Sequence, residues 1–267
     1  MQTNGSTPTT DHRAHARGTR FAVLGLVMVG LGPFLMVTAA LIWGLDVAAD
    51  LPFFLSLAIL PWVAAFLVWR FGTWAKIVGI VVALAGIAAM FWTAFGLAAP
   101  ASFFDFVPGL LVVPGALIAI VGSVAAIVAG RRGHRTASRE GGERRAINVV
   151  VAAVAGLALV SAVLTVAGRS TVEVTEADAT VTLKDFEYDR SAYEMSSGSR
   201  VVVRNEDPFL HTFTVDELGI DVELGPNSSA AVDLPADPGT YVVYCRPHTA
   251  DPDDPGEDDM ASTLTVG

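Results

Sequence analysis

Tyr241-Val-Val-Tyr-Cys245-Arg-Pro-His248 is the stretch on which the reading of this chain turns. Its first five residues alternate as a strand does, and they end on the single cysteine of the 267 residues. His248 follows at the third position. Upstream stands His211, in His-Thr-Phe, and downstream Met260, in Met-Ala-Ser-Thr-Leu-Thr-Val. A thiolate, two imidazoles and a distant thioether form the ligand set of a mononuclear type 1 copper centre. Zinc is the chief competitor, because a cysteine, two histidines and an acidic oxygen suit it equally. The strand context and Met260 favour copper. A lone cysteine excludes an intramolecular disulfide, and a free thiol in an oxidising compartment is a liability unless buried or metallated.

Working outward, composition divides the chain. Residues 1–168 carry 11 Lys/Arg against 6 Asp/Glu, whereas residues 169–267 carry 6 against 21. The halves therefore have net charges of +5 and −15, the mark of two parts that face different surroundings. The acidic balance belongs to the C-terminal part and gives no support to nucleic-acid binding, which needs a basic face, so no nucleic-acid partner is expected.

Before the acidic part lie five apolar stretches: Phe21–Trp43, Leu51–Trp69, Trp74–Leu97, Val107–Ala129 and Ala146–Ala167. Each approaches the roughly 20 residues that carry a helix across a bilayer core. Lys76 is the only charge inside any of them. Positive charge alternates between the connections. Arg13, Arg17 and Arg20 precede the first span, Arg70 and Lys76 follow the second, and Arg131, Arg132, Arg135, Arg139, Arg144 and Arg145 gather between the fourth and fifth. The 44–50 and 98–106 loops hold only Asp46, Asp50 and Asp105. Positive charge stays on the cytoplasmic side, so the pattern predicts an internal N-terminus and an external C-terminal part. The first stretch is longer than a signal-peptide core and lacks a small-x-small cleavage site, which predicts an uncleaved span. No histidine lies within the spans, so no paired haem ligands are available there.

The expected organisation is a disordered cytoplasmic arm over 1–20, a five-span membrane region over 21–168, a polar linker over 169–179 and an exported β-domain over 180–267. In the last part, Val181–Leu183, Arg200–Arg204, His211–Val215, Ala230–Leu234, Tyr241–Cys245 and Ser262–Val266 read as short strands separated by Gly/Pro turns. That pattern predicts a β-sandwich.

Three pieces of this domain carry a more specific likeness: Asn205-Glu-Asp-x-x-x-His211-Thr-Phe, Pro238-Gly-Thr-Tyr-x-x-Tyr-Cys245-x-x-His248, and Met260-x-x-Thr-Leu-Thr-Val266. Thr180–Gly267 resembles the cupredoxins, close to the plastocyanin-like domains. The resemblance implies a Greek-key sandwich holding one type 1 copper, with His211, Cys245 and His248 as equatorial ligands and Met260 axial. It also implies one-electron transfer, with His248 as the electron port. Asn205 and Thr212 are candidates to fix the cysteine loop by hydrogen bonds. One departure stands out. Eleven residues separate His248 from Met260, a longer loop than close relatives have, and they include Asp251, Asp253, Asp254, Glu257, Asp258 and Asp259. The insert is expected to be a solvated acidic bulge; docking of a basic partner is its functional alternative. Met195 is a remote substitute for Met260.

The leading functional reading is a membrane-anchored electron carrier at the outer face of the cytoplasmic membrane, exchanging single electrons with a redox partner that is basic or membrane-bound. The alternative is copper handling without redox turnover: buffering, delivery or sensing. An enzyme would need a second metal site, and only His211 and His248 are exported.

Overall fold

The computed structural model describes residues 18–43, 51–131, 140–176, 178–257 and 259–267. The expected arm up to residue 17, the 44–50 loop with Asp46 and Asp50, residues 132–139 with Arg132, Arg135 and Arg139, and Asp258 lie outside them.

Among the described residues, six helices come first: α1 (Thr19–Trp43), α2 (Leu51–Arg70), α3 (Thr73–Ala89), α4 (Thr93–Gly96), α5 (Phe103–Arg131) and α6 (Glu140–Ala167). Within α1, α2, α5 and α6, four segments are long and apolar enough to cross a membrane. Helix α6 begins before the apolar stretch, because Glu143, Arg144 and Arg145 are good helix formers and extend it with charged turns.

The third expected span differs. In place of one helix over 74–97, α3 stops after 17 residues, a turn follows, and α4 adds a single short turn. At 1.5 Å per residue α3 is about 25 Å long, short of a ~30 Å hydrocarbon core. The break has a packing reason: the backbone of Thr93 meets the start of α5 at Gly109. A Cβ on Gly109 would lie 2.2 Å from the Thr93 carbonyl oxygen, so only glycine admits the contact.

The chain divides into two compact units, one made of residues 1–33, 55–91 and 111–154, the other of 34–54, 92–110 and 155–267. The first has a core of small side chains, among them Ala22, Ala64, Ala65, Ala83, Ala116 and Ala119, with Leu26, Val29 and Val68. Here α1 and α5 approach closely. A Cβ on Gly25 would sit 2.3 Å from the Gly115 oxygen and the Ala119 nitrogen, as expected where small residues let membrane helices pack backbone to backbone.

The second unit contains the β-domain. Its strands are β1 (Ala179–Lys184), β2 (Glu187–Tyr188), β3 (Ala192–Met195), β4 (Arg200–Asn205), β5 (His211–Val215), β6 (Ile220–Leu224), β7 (Ser229–Asp233), β8 (Gly239–Tyr244) and β9 (Ala261–Val266). They form a sheet in the order β2-β1-β4-β7 and another in the order β3-β9-β8-β5-β6. The chain changes sheet between β2 and β3, β3 and β4, β4 and β5, β6 and β7, and β7 and β8, the over-and-back course of a Greek-key sandwich. Pairing is antiparallel except for β1 with β4 and β3 with β9. Strand alternation supplies the core: Val181, Leu183, Val201, Val203, Phe213, Val243 and Leu264 are fully buried. The expected linker is fastened to the sandwich from its start. Ser229 donates its amide to the Ser170 carbonyl, and Val172 donates its amide to the Ser229 hydroxyl.

Candidate metal centre

Two strand ends and one loop build the cluster. His211 opens β5 and, with period two, shares the inward face of Phe213 and Val215. Cys245 follows the last residue of β8 and is fully buried, packed in the same core. His248 closes the 3₁₀ turn Arg246–His248, where Pro247 pre-sets the backbone, and is half-buried. The long loop returns to this turn at Met260. Cys245 donates its amide to the Met260 carbonyl at 2.9 Å, and Met260 donates its own to the His248 carbonyl at 3.1 Å. The Met260 side chain, 2 % exposed, lies in the core cluster that holds Cys245. Met195, at the end of β3, belongs to that core as well.

Two nitrogens and a sulfur converge. His248 Nδ1 is 3.2 Å from Cys245 Sγ and 3.2 Å from His211 Nδ1, and His211 Nδ1 is 3.6 Å from Sγ. The centre of that triangle lies about 1.9 Å from each atom, against ~2.0–2.1 Å and ~2.3 Å for first-row metal bonds to nitrogen and sulfur. A copper ion therefore fits with shifts of a few tenths of an ångström. The donor set selects its chemistry: a thiolate and two imidazoles suit both copper oxidation states, and Met260 lies nearby.

The surroundings fix the donors. His211 Nε2 stands 2.8 Å from the Asp207 carboxylate, both side chains being fully buried. A carboxylate only accepts, so Nε2 carries the proton and the Nδ1 lone pair is left to face the cluster. Burial alone would push the Asp207 carboxyl up; hydrogen bonds from His211 and the amides of Phe186 and Asp185 outweigh it and hold the group below the usual carboxylate range. Burial pushes the Cys245 thiol up to about 11, opposed in part by the Thr212 amide, which donates to Sγ at 3.3 Å. Burial, reinforced by His211, pushes His248 down to about 3.

The two residues expected to fix the cysteine loop divide their work differently. Thr212 does so, accepting the Arg246 amide at 2.8 Å. Asn205 instead ties the His211 side: its Nδ2 donates to the carbonyls of Phe209, Leu224 and Gly225. Its short side chain, at the end of β4, reaches the segment leading to His211.

Asp207 and Phe186 were not singled out by the sequence reading. Asp207 sits in the Asn205-Glu-Asp motif, four residues before His211, and that spacing was the available signal. Phe186 has none: it takes a positive φ of 62° beside Asp185 at 57°, in the two-residue turn between β1 and β2. Its ring stands edge-on to His248 at 5.0 Å and to His211 at 5.5 Å. A left-handed phenylalanine costs on the order of 1 kcal/mol. Asp207 holds the turn by accepting both of its amides.

Acidic side chains in the long loop bond inward to the loop's own backbone. Asp259 accepts the amides of Ala250 and Gly256, which hold its carboxyl low, and Asp251 accepts that of Asp253.

Residues 154–253 match the model of the cupredoxin-like domain family, a span that takes in His211, Cys245 and His248 and ends before Met260. None of the curated proteins compared with the chain matches it. Among solved structures, a reduced tryptophan-to-tyrosine mutant of amicyanin is similar at 17 % identity, covering 37 % of this chain and 90 % of that one, with a TM-score of 0.30. The reduced Cu(I) form at pH 4 of a proline-to-glycine mutant of amicyanin gives 19 % identity with the same coverage and TM-score. On the family match, the two-sheet sandwich and the donor cluster at its end, the C-terminal part of this chain is a cupredoxin-like domain whose site fits one type 1 copper, carried behind helices apolar enough to cross a membrane.

Proposed function

We propose that this protein is a membrane-anchored electron carrier whose copper domain stands at the outer face of the cytoplasmic membrane, and that it turns over no substrate. His211, Cys245 and His248 are the equatorial ligands and Met260 the axial one. The observation that carries the reading is the convergence of His211 Nδ1, His248 Nδ1 and Cys245 Sγ at one point, with His211 and Cys245 buried and His248 half-buried. Bound copper supplies a one-electron couple. The protein supplies a cage that needs little rearrangement: Asp207 orients His211, the Thr212 amide faces the sulfur, and two backbone bonds pin Met260 to the Cys245–His248 turn. The domain boundaries are the arm over 1–20, the spans over 21–168, the link over 169–179 and the copper domain over 180–267. The N-terminus is cytoplasmic and the lipid bilayer surrounds the spans. The partner is a redox protein, and the −15 charge of residues 169–267 favours a basic one, steered by long-range attraction that salt screens.

The test is the optical and EPR spectrum of the full chain with Cu(II). An intense thiolate-to-copper absorption at one copper per chain is expected, and its absence sinks the reading. Cys245→Ser abolishes the absorption, because the sulfur supplies it. Met260→Leu retains it with a shifted potential, because the axial bond is weak; an unchanged potential removes Met260 from the ligand set.

A further inference from the structure

The segment 92–110 belongs to the same compact unit as the β-domain, and one carboxylate of that segment reaches the loop that delivers His211. Asp105, on the first turn of α5, accepts the backbone amide of Leu210 through Oδ2 at 2.7 Å. Leu210 is the residue before His211. The same carboxylate oxygen accepts the hydroxyl of Ser102. Next to it, Phe104 packs against Phe209 with ring centroids 6.3 Å apart, and the Phe209 ring lies 4.9 Å from Phe186, which stands against both histidines. The Phe103 amide donates to Thr165 Oγ1 on α6, which fixes this turn to the helix that leads into the domain.

Each contact has a separate physical effect. The Leu210 amide precedes the ladder of β5 with β6, and Asp105 gives it an acceptor that the sandwich does not. A carboxylate acceptor makes a stronger bond than a neutral one. The Ser102 hydroxyl orients the carboxylate, and the Phe104–Phe209 contact packs the same two segments together.

We infer that Asp105 is a positioning residue of the metal centre: the membrane-side start of α5 clamps the backbone at Leu210 and so fixes the approach of His211. The inference rests on the copper reading for its consequence, but the clamp itself belongs to the metal-free chain. The helical part then does more than anchor the domain; it contributes to the cage.

The test uses the full chain in lipid nanodiscs, with Asp105→Ala, Asp105→Asn and, should the alanine variant fail to fold, Ser102→Ala, which loses the orienting hydroxyl. Amide hydrogen exchange over Phe209–Phe213 is measured without metal. Copper release to a chelator and the EPR hyperfine pattern are measured after loading. Asp105→Ala is expected to speed both exchange at Leu210 and copper release about tenfold and to change the hyperfine pattern, in the range seen when groups supporting a metal ligand are removed. Asp105→Asn keeps an oxygen acceptor but loses its charge and falls between the parent and Asp105→Ala, and Ser102→Ala shifts the same segment by less than Asp105→Ala. Unchanged exchange in Asp105→Ala, or in Ser102→Ala where that variant is used, overturns the clamp whatever copper does. Faster exchange in a protein that binds no copper upholds the clamp and refutes the copper reading.

Discussion

Cys245 and His248 sit in opposite protonation problems. Burial holds the Cys245 proton on, with the thiol pushed up to about 11, and keeps protons off His248, pushed down to about 3. A metal takes the thiolate and the neutral imidazole. Copper must therefore displace a proton from Cys245 at every pH below about 11, whereas His248 has none to lose above about 3. The thiol makes affinity rise with pH by about one log unit per unit, and His248 adds nothing to that slope near neutrality. Calorimetric titration in buffers of different ionisation enthalpy checks this, and Cys245→Ser should remove the thiol's share of the released protons. At this scale much of the cluster was legible. Cysteine, two histidines and methionine declare themselves by type and order, and the structure gathers His211, Cys245 and His248 around one point, with Met260 beside the cysteine turn. The supporting groups were less legible. Asp207 acts through a bond defined only once the loop before β5 is folded, and Phe186 acts through a strained turn that no residue type announces.

Among the elements, strands were read more faithfully than helix ends. Period-two runs such as His211–Val215 and Tyr241–Tyr244 became β5 and part of β8, because one face of each enters a closed core. Hydropathy does not register a break where apolar residues continue through it, so the turn after Ala89 was invisible; the contact of Thr93 with Gly109 that accompanies it joins residues distant in sequence. The break bears on topology. Four long spans alone would leave both ends of the chain on one side, whereas the topology proposed from the Arg-rich connections calls for a fifth crossing over 74–97. A broken helix is tolerated at membrane depth when protein neighbours satisfy its backbone. Reporters inserted near residues 71 and 100 should fall on opposite sides, as should reporters after Arg145 and after Gly267. A cytoplasmic reporter after Gly267 removes the topology and the electron carrier together.

For the whole molecule, the halves differ in charge: residues 1–168, with the apolar helices, carry +5, and residues 169–267 carry −15. That division was plain from composition. The attachment between the domain and its helical neighbours was not, since Ser170, Val172 and Asp105 are unremarkable in sequence and act through contacts 57 to 105 residues away. The central claim is that this assembly cycles one electron while keeping its copper. Spectroelectrochemistry of the copper-loaded full chain in nanodiscs, run with a Cu(I) chelator present, tests it most directly. The account predicts that the thiolate-to-copper absorption bleaches with one electron per chain and returns to full intensity over repeated cycles. Loss of copper to the chelator at the first reduction would contradict it and leave copper delivery as the function.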